Sequence, residues 1–279
     1  MITGATRVFG LVGRPVAHSL SPRIYNALFA EAGIDAVYVA FDVDPTAGPL
    51  LAEALRTLNL AGVNLTVPHK ASILPFLTDQ DRLVTACAAA NVVVHHDGAL
   101  RGHNTDAEGF ARAFEERFGP RLAAGPAVVL GAGGAGRAVA AGIASRGCPE
   151  VLLLNRTLSR AEEAAARLGA FFPGVRFTPG VLDPEVFSEV AGEARLVVNS
   201  TSGPAAPRVE ALSVEALPEE AIWCDLNYWM EEPPAREACE RRGIPFQGGL
   251  DMLVHQAALA YEHFTSQAAD PAHIRALLG

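Results

Sequence analysis

Short apolar runs alternate with amphipathic stretches along the first part of the chain. The strand-like runs and the helix-like stretches between them occupy, in order, residues 7–13, 22–33, 36–43, 48–59 and 61–67. This alternation predicts strands connected by helices, and hence a mostly parallel sheet with helices on both faces. Two further strands, joined by a turn at Asp97-Gly98, and then a helix are predicted at residues 90–96, 98–104 and 105–119.

The same alternation restarts after residues 120–126, whose sequence PRLAAGP makes them the best candidate for a linker. A strand, a helix, a strand and a helix are predicted between residues 127 and 169, and the later elements are two strands and two helices at residues 194–201, 221–228, 233–243 and 248–267. With 279 residues the chain is long enough for two domains. The pattern therefore predicts two α/β domains.

Composition narrows the possible functions. The net charge of −9 argues against binding to nucleic acid or to an anionic membrane surface, because both favour a basic protein. No apolar run approaches the roughly 20 residues of a membrane span, and the first residues do not resemble a signal peptide, so a cytoplasmic location is expected. The four cysteines, Cys87, Cys148, Cys224 and Cys239, show no C-x-x-C spacing and are interpreted as buried thiols rather than a zinc or disulfide site.

A glycine-rich segment predicts a dinucleotide site. It follows a hydrophobic strand and opens a helix, as the mechanism requires, because glycines allow a tight turn and a close approach of the backbone to a pyrophosphate. The segment consists of Gly131, Ala132, Gly133, Gly134, Ala135 and Gly136.

The end of the next strand indicates which dinucleotide. Asn155, Arg156 and Thr157 lie there and Arg160 follows one turn later, without an acidic residue. A carboxylate at this place would hold the 2′-hydroxyl of NAD, whereas arginine accommodates a 2′-phosphate. NADP is therefore favoured over NAD.

Lys70 is the single lysine among 22 basic side chains. Its ammonium can transfer a proton, whereas a guanidinium effectively cannot. Asp106 lies at a predicted strand–helix junction, and a lysine with an aspartate in one cleft could handle the proton of an alcohol. Ser19 and Ser21, just before a predicted helix, could bind a hydroxylated ligand or could simply cap the helix.

Six segments together resemble the shikimate dehydrogenase family. They are GRPVAHSLSP, GVNLTVPHK, GHNTDAEGF, GAGGAGRA, NRTLSR and GGLDMLVHQAALA, which extend from about Val8 to Thr265. The resemblance implies NADP-dependent reversible reduction of 3-dehydroshikimate to shikimate, without a metal. It also implies a substrate domain formed from both chain ends, residues 1–106 and 249–279, and an inserted Rossmann-type NADP-binding domain, residues 107–248.

The resemblance also assigns roles to individual residues. Lys70 and Asp106 would be the catalytic pair, with Lys70 as the main proton donor and acceptor; which of the two abstracts the proton stays open. Gly249 would join the cofactor-binding residues. The substrate would be held by Ser19, Ser21, Thr66, Asn91 and Gln256, with Tyr228 near it.

Three places depart from the family pattern: Tyr25 replaces a histidine, Val92 replaces a threonine, and residues 227–234 lack the usual Y-x-P-x-x-T sequence. These departures leave open a related enzyme acting on quinate or another cyclic polyol acid. A non-catalytic NADP-binding regulator is the alternative from another class. A monomer and a homodimer are both compatible with the sequence.

Overall fold

The computed structural model describes residues 1–201, 206–230, 233 and 235–279. They form two compact units, Met1–Thr105 with Val254–Gly279, and Asp106–Leu253. The first unit thus combines both chain ends, and the second is continuous in sequence. Asp106 and residues 249–253 belong to the second unit, whereas the predicted domains assign them to the first.

The described residues contain strands in both units. They are β1 Arg7–Gly13, β2 Ala36–Asp42, β3 Gly62–Leu65, β4 Asp79–Gln80, β5 Val92–His96, β6 Ala99–His103, β7 Ala127–Leu130, β8 Glu150–Asn155, β9 Arg176–Val181, β10 Leu196–Asn199, β11 Ile222–Asp225 and β12 Phe246–Gln247. The helices are α1 Ser21–Glu31, α2 Leu51–Thr57, α3 Arg82–Cys87, α4 Asp106–Phe118, α5 Gly134–Ser145, α6 Leu158–Phe171, α7 Pro184–Ala191, α8 Ala206–Glu210, α9 Arg236–Arg242, α10 Leu250–Thr265 and α11 Pro271–Leu278.

The sheet of the first unit has the order β2-β1-β3-β5-β6-β4. Strand β1 is parallel to β2 and β3, but β5 is antiparallel to both β3 and β6. The antiparallel pairing of β5 with β6 follows from the short turn between them, where Asp97 and Gly98 both have positive φ angles, 50° and 77°. Such a turn matches the twist of an antiparallel pair, so this sheet is mixed.

Aromatic side chains fill the core between the first sheet and its helices. Phe264 of α10 lies against Phe9 of β1 with ring centroids 5.0 Å apart. Tyr25 of α1 stacks on Tyr38 of β2 at 4.5 Å, and both are fully buried. Because α10 supplies part of this core, the N-terminal segment depends on the C-terminal end of the chain to bury its apolar surface.

The sheet of the second unit is parallel throughout, with the order β12-β11-β10-β7-β8-β9. The strand order reverses between β7 and β10, and in doubly wound sheets ligands bind beyond the carboxyl ends of the strands at this point. The prediction of two α/β domains is confirmed. Strand β9 was not predicted because its Pro179-Gly180 resembles a turn, but an edge strand tolerates proline.

Two further findings bear on the sequence predictions. All four cysteines are buried thiols, as predicted. Within the described part of the chain no helix is long and apolar enough to cross a membrane.

Candidate active site

The glycine-rich loop connects β7 to α5 and is too tight for side chains at two places. Gly131 has a φ of +104°, in the region that favours glycine. A Cβ on Gly136 would overlap the carbonyl oxygen of Gly131, whereas the space beside Gly133 is open in the described structure. Ser200 Oγ donates a hydrogen bond of 2.7 Å to the carbonyl of Leu130 and so holds the loop at the end of the strand.

Asn155 connects this loop to the end of β8. Its Oδ1 accepts a hydrogen bond from Ala132 N–H (3.1 Å), and its Nδ2 donates to the carbonyl of Thr157 (2.9 Å). The predicted cofactor residue therefore also braces the loop. Arg156 and Arg160 are exposed beyond β8, where their guanidinium groups are available to an anion.

These features fit a dinucleotide carrying a 2′-phosphate. Gly133 is the residue before α5 and has open space beside it, so a pyrophosphate could approach the backbone at the start of this helix. The two exposed arginines supply positive charge where an adenosine phosphate would need it. A Cβ on Gly249, which is predicted to bind the cofactor, would overlap the Leu226 carbonyl.

In the first unit, three predicted substrate residues lie at the start of α1 and at the end of β3. Ser19 Oγ accepts a hydrogen bond from the N–H of Ser21 (3.2 Å), and Ser21 begins α1 in a buried position. Thr66 N–H donates to the carbonyl of Val12 (2.9 Å) directly after β3. A Cβ on Gly13 would overlap the methyl group of Thr66, so this glycine gives the threonine its place.

Lys70 lies in the turn that follows β3 and is partly buried. Its carbonyl accepts a hydrogen bond from Ala90 N–H (2.8 Å), which ties the turn to the residue before Asn91. His69 is fully buried, with Nε2 3.1 Å from the carbonyl oxygen of Val43 and Nδ1 3.4 Å from Ser72 Oγ. His69 therefore orients the turn, a role that only its burial reveals.

Asn91 and Gln256 are brought together although they are far apart in sequence. Asn91 Nδ2 donates to Gln256 Oε1 (3.4 Å) and to Thr105 Oγ1 (2.8 Å), and Asn91 Oδ1 accepts from Thr105 N–H (2.8 Å). All three residues are buried. We call Asn91, Thr105 and Gln256 the amide cluster.

Asp106 is buried and is the first residue of α4. Close packing holds this helix against α5, since a Cβ on Gly142 of α5 would overlap the carbonyl oxygen of Ala107. Arg146, at the end of α5, contacts Glu108 and Glu115 of α4 with N–O distances of 3.0 Å. Asp106 thus has a defined position relative to the helix that carries the glycine-rich loop.

A buried polar network lies beyond β10 and β11. Asp225 accepts hydrogen bonds from Asn199 Nδ2 (2.8 Å), Asn227 N–H (2.9 Å) and Asn227 Nδ2 (2.8 Å), and Asn227 Nδ2 also donates to the Thr201 carbonyl (3.1 Å). Burial raises the pKa of the Asp225 carboxyl above its usual value despite these donors. The network fixes the base of the loop that carries Tyr228, whose ring lies 5.2 Å from that of Trp229.

The three places that depart from the family pattern have different structural surroundings. Tyr25 is a core residue, and its hydroxyl donates to the carbonyl of Ala257 (3.4 Å). Val92 is fully buried at the start of β5. Within residues 227–234, Asn227 takes part in the network above, and residues 231, 232 and 234 lie outside the described structure.

The predicted site contains no group that suggests a metal, and within the described residues no cluster of three His, Cys, Asp or Glu side chains could hold one. Histidines of the first unit have other contacts. His95 Nδ1, for example, lies 3.0 Å from the carbonyl oxygen of Leu60, and His96 is exposed beside Asp97.

Family models match three parts of the chain. The shikimate dehydrogenase substrate binding domain matches residues 11–93, the shikimate/quinate 5-dehydrogenase model matches residues 113–226, and the shikimate 5′-dehydrogenase C-terminal domain matches residues 249–278. Together they cover segments of both units.

Whole-chain comparisons agree with these matches. The shikimate dehydrogenase (NADP(+)) of Moorella thermoacetica is 41% identical over 274 residues, which cover 96% of this chain and 91% of that protein. The Thermus thermophilus shikimate 5-dehydrogenase in complex with NADP(H) and shikimate is 35% identical with a TM-score of 0.80, covering 98% of each chain. The Corynebacterium glutamicum quinate dehydrogenase in complex with NAD is 30% identical with a TM-score of 0.86, also over 98% of each chain. This chain belongs to the shikimate dehydrogenase family.

Proposed function

We propose that this protein reduces 3-dehydroshikimate reversibly to shikimate with NADPH. The observation that carries the proposal is the amide cluster, in which Asn91 contacts Gln256 and also accepts a hydrogen bond from Thr105, the residue before Asp106. Amide and hydroxyl groups are suited to a substrate that offers several hydroxyls and one carboxylate, because they can both donate and accept hydrogen bonds. The curated relatives with the same activity support this assignment.

The substrate would be held by neutral polar side chains. The hydroxyls of Ser19, Ser21 and Thr66 and the amides of Asn91 and Gln256 are the proposed contacts, with Tyr228 beside the ring. Ser21, Asn91 and Gln256 are largely buried, and a few polar groups placed in such a site fix the orientation of a bound ligand. Specificity would come from leaving these groups unpaired when a hydroxyl is missing.

Lys70 and Asp106 are the proposed catalytic pair. The bound nucleotide supplies the hydride. In the reductive direction the Lys70 ammonium donates a proton to the carbonyl oxygen of the substrate as the alcohol forms, and it takes that proton back in the oxidative direction. Asp106, negatively charged, keeps the lysine protonated and oriented.

The cofactor would be NADP, held by the glycine-rich loop, Asn155, Thr157 and the two arginines that follow β8. Arg156 and Arg160 would pair with the 2′-phosphate through charge-assisted hydrogen bonds. The loop would contribute backbone amides to the pyrophosphate. Gly249 is the remaining proposed cofactor-binding residue.

A spectrophotometric assay with shikimate or quinate, each with NADP or NAD, tests the proposal. We expect the highest kcat/KM with shikimate and NADP. Faster quinate turnover with NAD would instead assign the protein to the activity named for its Corynebacterium relative. NADP binding without turnover of either acid would indicate a regulator that has lost the chemistry.

We further propose that the protein works in the cytoplasm as a monomer or a homodimer, with small molecules as its ligands and no nucleic acid. Light scattering of the purified protein measures the oligomeric state. A mass larger than that of a dimer would contradict this proposal, and cell fractionation tests the location.

A further inference from the structure

Asp81 uses both oxygens of its carboxylate. Oδ1 accepts a hydrogen bond from the N–H of Val84 (2.7 Å) and so caps α3. Oδ2 accepts from the N–H of Asn104 (3.1 Å) and lies 3.4 Å from Nδ1 of His103. An N-cap requires one acceptor, which serine or asparagine would also supply. The second oxygen therefore has a use that capping does not explain.

The segment held by this second oxygen leads directly into the proposed site. Asn104 is followed by Thr105, whose N–H and hydroxyl both bond to Asn91, and then by Asp106. Asn104 Nδ2 donates to the carbonyl of Ala89 (2.8 Å), two residues before Asn91. The Asp81 carboxylate thus connects α3, which precedes Asn91 in the chain, to Asn104, which lies just before Thr105 and Asp106.

The third member of the amide cluster comes from a helix that contacts the same place. His263 of α10 stacks on His103 with ring centroids 3.9 Å apart and an interplanar angle of 16°. Gln256 lies on α10 seven residues earlier, about two helical turns away. His103 therefore lies between Asp81 and the helix that carries Gln256.

The electrostatic surroundings keep this carboxylate ionised. Burial raises its pKa, but the hydrogen bond from His103 and those from the Val84 and Asn104 amides outweigh burial, and the net pKa of Asp81 lies below its usual value. An ionised carboxylate can only accept hydrogen bonds. This matches the N–H groups of Val84 and Asn104, which both donate to Asp81.

We propose that Asp81 is a positioning residue for the amide cluster, and that its second carboxylate oxygen fixes the His103–Asn104 segment so that Thr105 holds Asn91 where it meets the substrate. The inference rests on the proposed function. Small displacements of substrate-positioning groups reduce turnover strongly, because the reacting atoms leave their productive geometry. Asp81 itself need not contact the substrate.

Asp81→Ser separates positioning from capping, because serine can still accept from Val84 N–H but has no second oxygen for Asn104. The main chain stays anchored through the hydrogen bond from Asp81 N–H to the carbonyl of Gly102 (3.1 Å). The matched control is Asp183→Ser at the exposed N-cap of α7, where Asp183 accepts from Glu185 N–H (2.9 Å).

For Asp81→Ser we expect kcat/KM for shikimate to fall about 10- to 100-fold, with KM for NADP unchanged within about 2-fold. Asp183→Ser should alter neither constant. Asp81→Asn should resemble Asp81→Ser, because an amide keeps one acceptor but cannot accept at both places. Wild-type shikimate kinetics in both Asp81 variants, or an equal loss for shikimate and NADP, would overturn the proposal.

Amide hydrogen exchange tests the proposed role of Asp81 without an activity assay. In Asp81→Ser the amides of Asn104 and Thr105 should exchange about 10-fold faster than in the wild type, as expected when one hydrogen bond is lost. Unchanged exchange at these two amides would overturn the inference. A wild-type protein that does not oxidise shikimate would instead refute the proposed function, and the exchange measurement would still report on Asp81.

Discussion

At the scale of single residues, Lys70 determines whether the proposed proton transfer can occur. All the other lysine or arginine positions of the chain are occupied by arginine. An arginine at position 70 would keep the positive charge of Lys70. It would not release a proton at any pH at which the protein is folded. Charge and proton transfer can therefore be separated by substitution at this one position.

We predict that Lys70→Ala and Lys70→Arg both lower kcat by about 100-fold or more, the usual contribution of a positioned acid or base. Affinity for shikimate should change only modestly, which a binding titration would check. NADPH binding, followed by its fluorescence, serves as the control and should be unchanged. Near-normal turnover of either variant would remove Lys70 from the chemistry.

A second prediction at the scale of single residues concerns the exposed arginines beyond β8 and their effect on NADP binding. Replacing Arg156 and Arg160 together by glutamine should raise KM for NADP by about 10- to 100-fold, because charge-assisted hydrogen bonds to the phosphate are lost. The kinetic constants with NAD should change little, since NAD has no 2′-phosphate. The control is Arg167→Gln on α6, the helix that also carries Arg160. It also removes a positive charge and should leave KM for NADP unaltered. An equal effect on both nucleotides would contradict the assignment.

At the scale of elements, the contact between α4 and α5 fixes the backbone that carries Asp106. Gly142 allows the two helices to approach so closely that a side chain would meet the Ala107 backbone. Backbone cannot move aside as a flexible side chain can, so any larger residue must separate the helices.

We predict that Gly142→Ala destabilises the protein by about 1–3 kcal/mol and lowers kcat, because α4 shifts with Asp106 at its start. Gly169→Ala in α6 is the matched control, since a Cβ there has its nearest neighbour, Phe177, at 4.0 Å. The control should raise the free energy of unfolding by about 0.5–1 kcal/mol, because alanine favours a helix more than glycine does. Urea unfolding measures both; equal stability of the two variants would contradict the packing argument.

The ion pairs between the same helices predict a pH dependence. Burial raises the pKa of the Glu108 carboxyl, but hydrogen bonds from Arg146 and Arg112 outweigh it, so the net pKa is lowered. A carboxyl with a lowered pKa in the folded state contributes stability above its unfolded pKa, about 4.3. This contribution is lost as the pH falls through the folded pKa.

Glu108→Gln should therefore lower Tm by about 2–4 °C at pH 7, and the difference from wild type should shrink as the pH falls below about 4. Glu237→Gln is the control, because Glu237 forms an exposed pair with Arg241 in which the glutamate side chain is 84% exposed. Thermal unfolding between about pH 3 and pH 7 measures both. A Glu108 effect that does not vary with pH would show that the ion pair is not its cause.

At the scale of the whole molecule, the two units differ in how they depend on chain continuity. Asp106–Leu253 is one continuous segment with its own hydrophobic core, which includes Leu130, Leu154 and Trp223. The first unit requires residues from both chain ends, since Phe264 packs on Phe9.

We predict that a fragment of residues 106–253 folds and binds NADPH, whereas residues 1–105 alone do not fold cooperatively. The reason is that only the first fragment buries a complete core. Circular dichroism with thermal melting measures folding, and NADPH fluorescence measures binding. A cooperative transition for residues 1–105 would contradict this account of the core.

Much of this architecture could be predicted from local pattern, because strands such as β1 and helices such as α4 have clear periodicity. The glycine-rich segment and the family motifs similarly predicted the nucleotide site. Elements with two paired residues, such as β4 and β12, have too little sequence for any periodicity. The proline and glycine of β9 also hid a strand that only its edge position permits.

By itself, the sequence determined the alternation of strands and helices, the glycine-rich segment between a strand and a helix, and the family, because these depend on neighbouring residues or on motifs. Only the tertiary structure decided that β5 runs antiparallel, that Asn91 meets Gln256, and that Asp81 bonds to Asn104. Each of these depends on contacts between residues distant in the chain. Such contacts form when apolar surface is buried around them, and local pattern does not specify the partner.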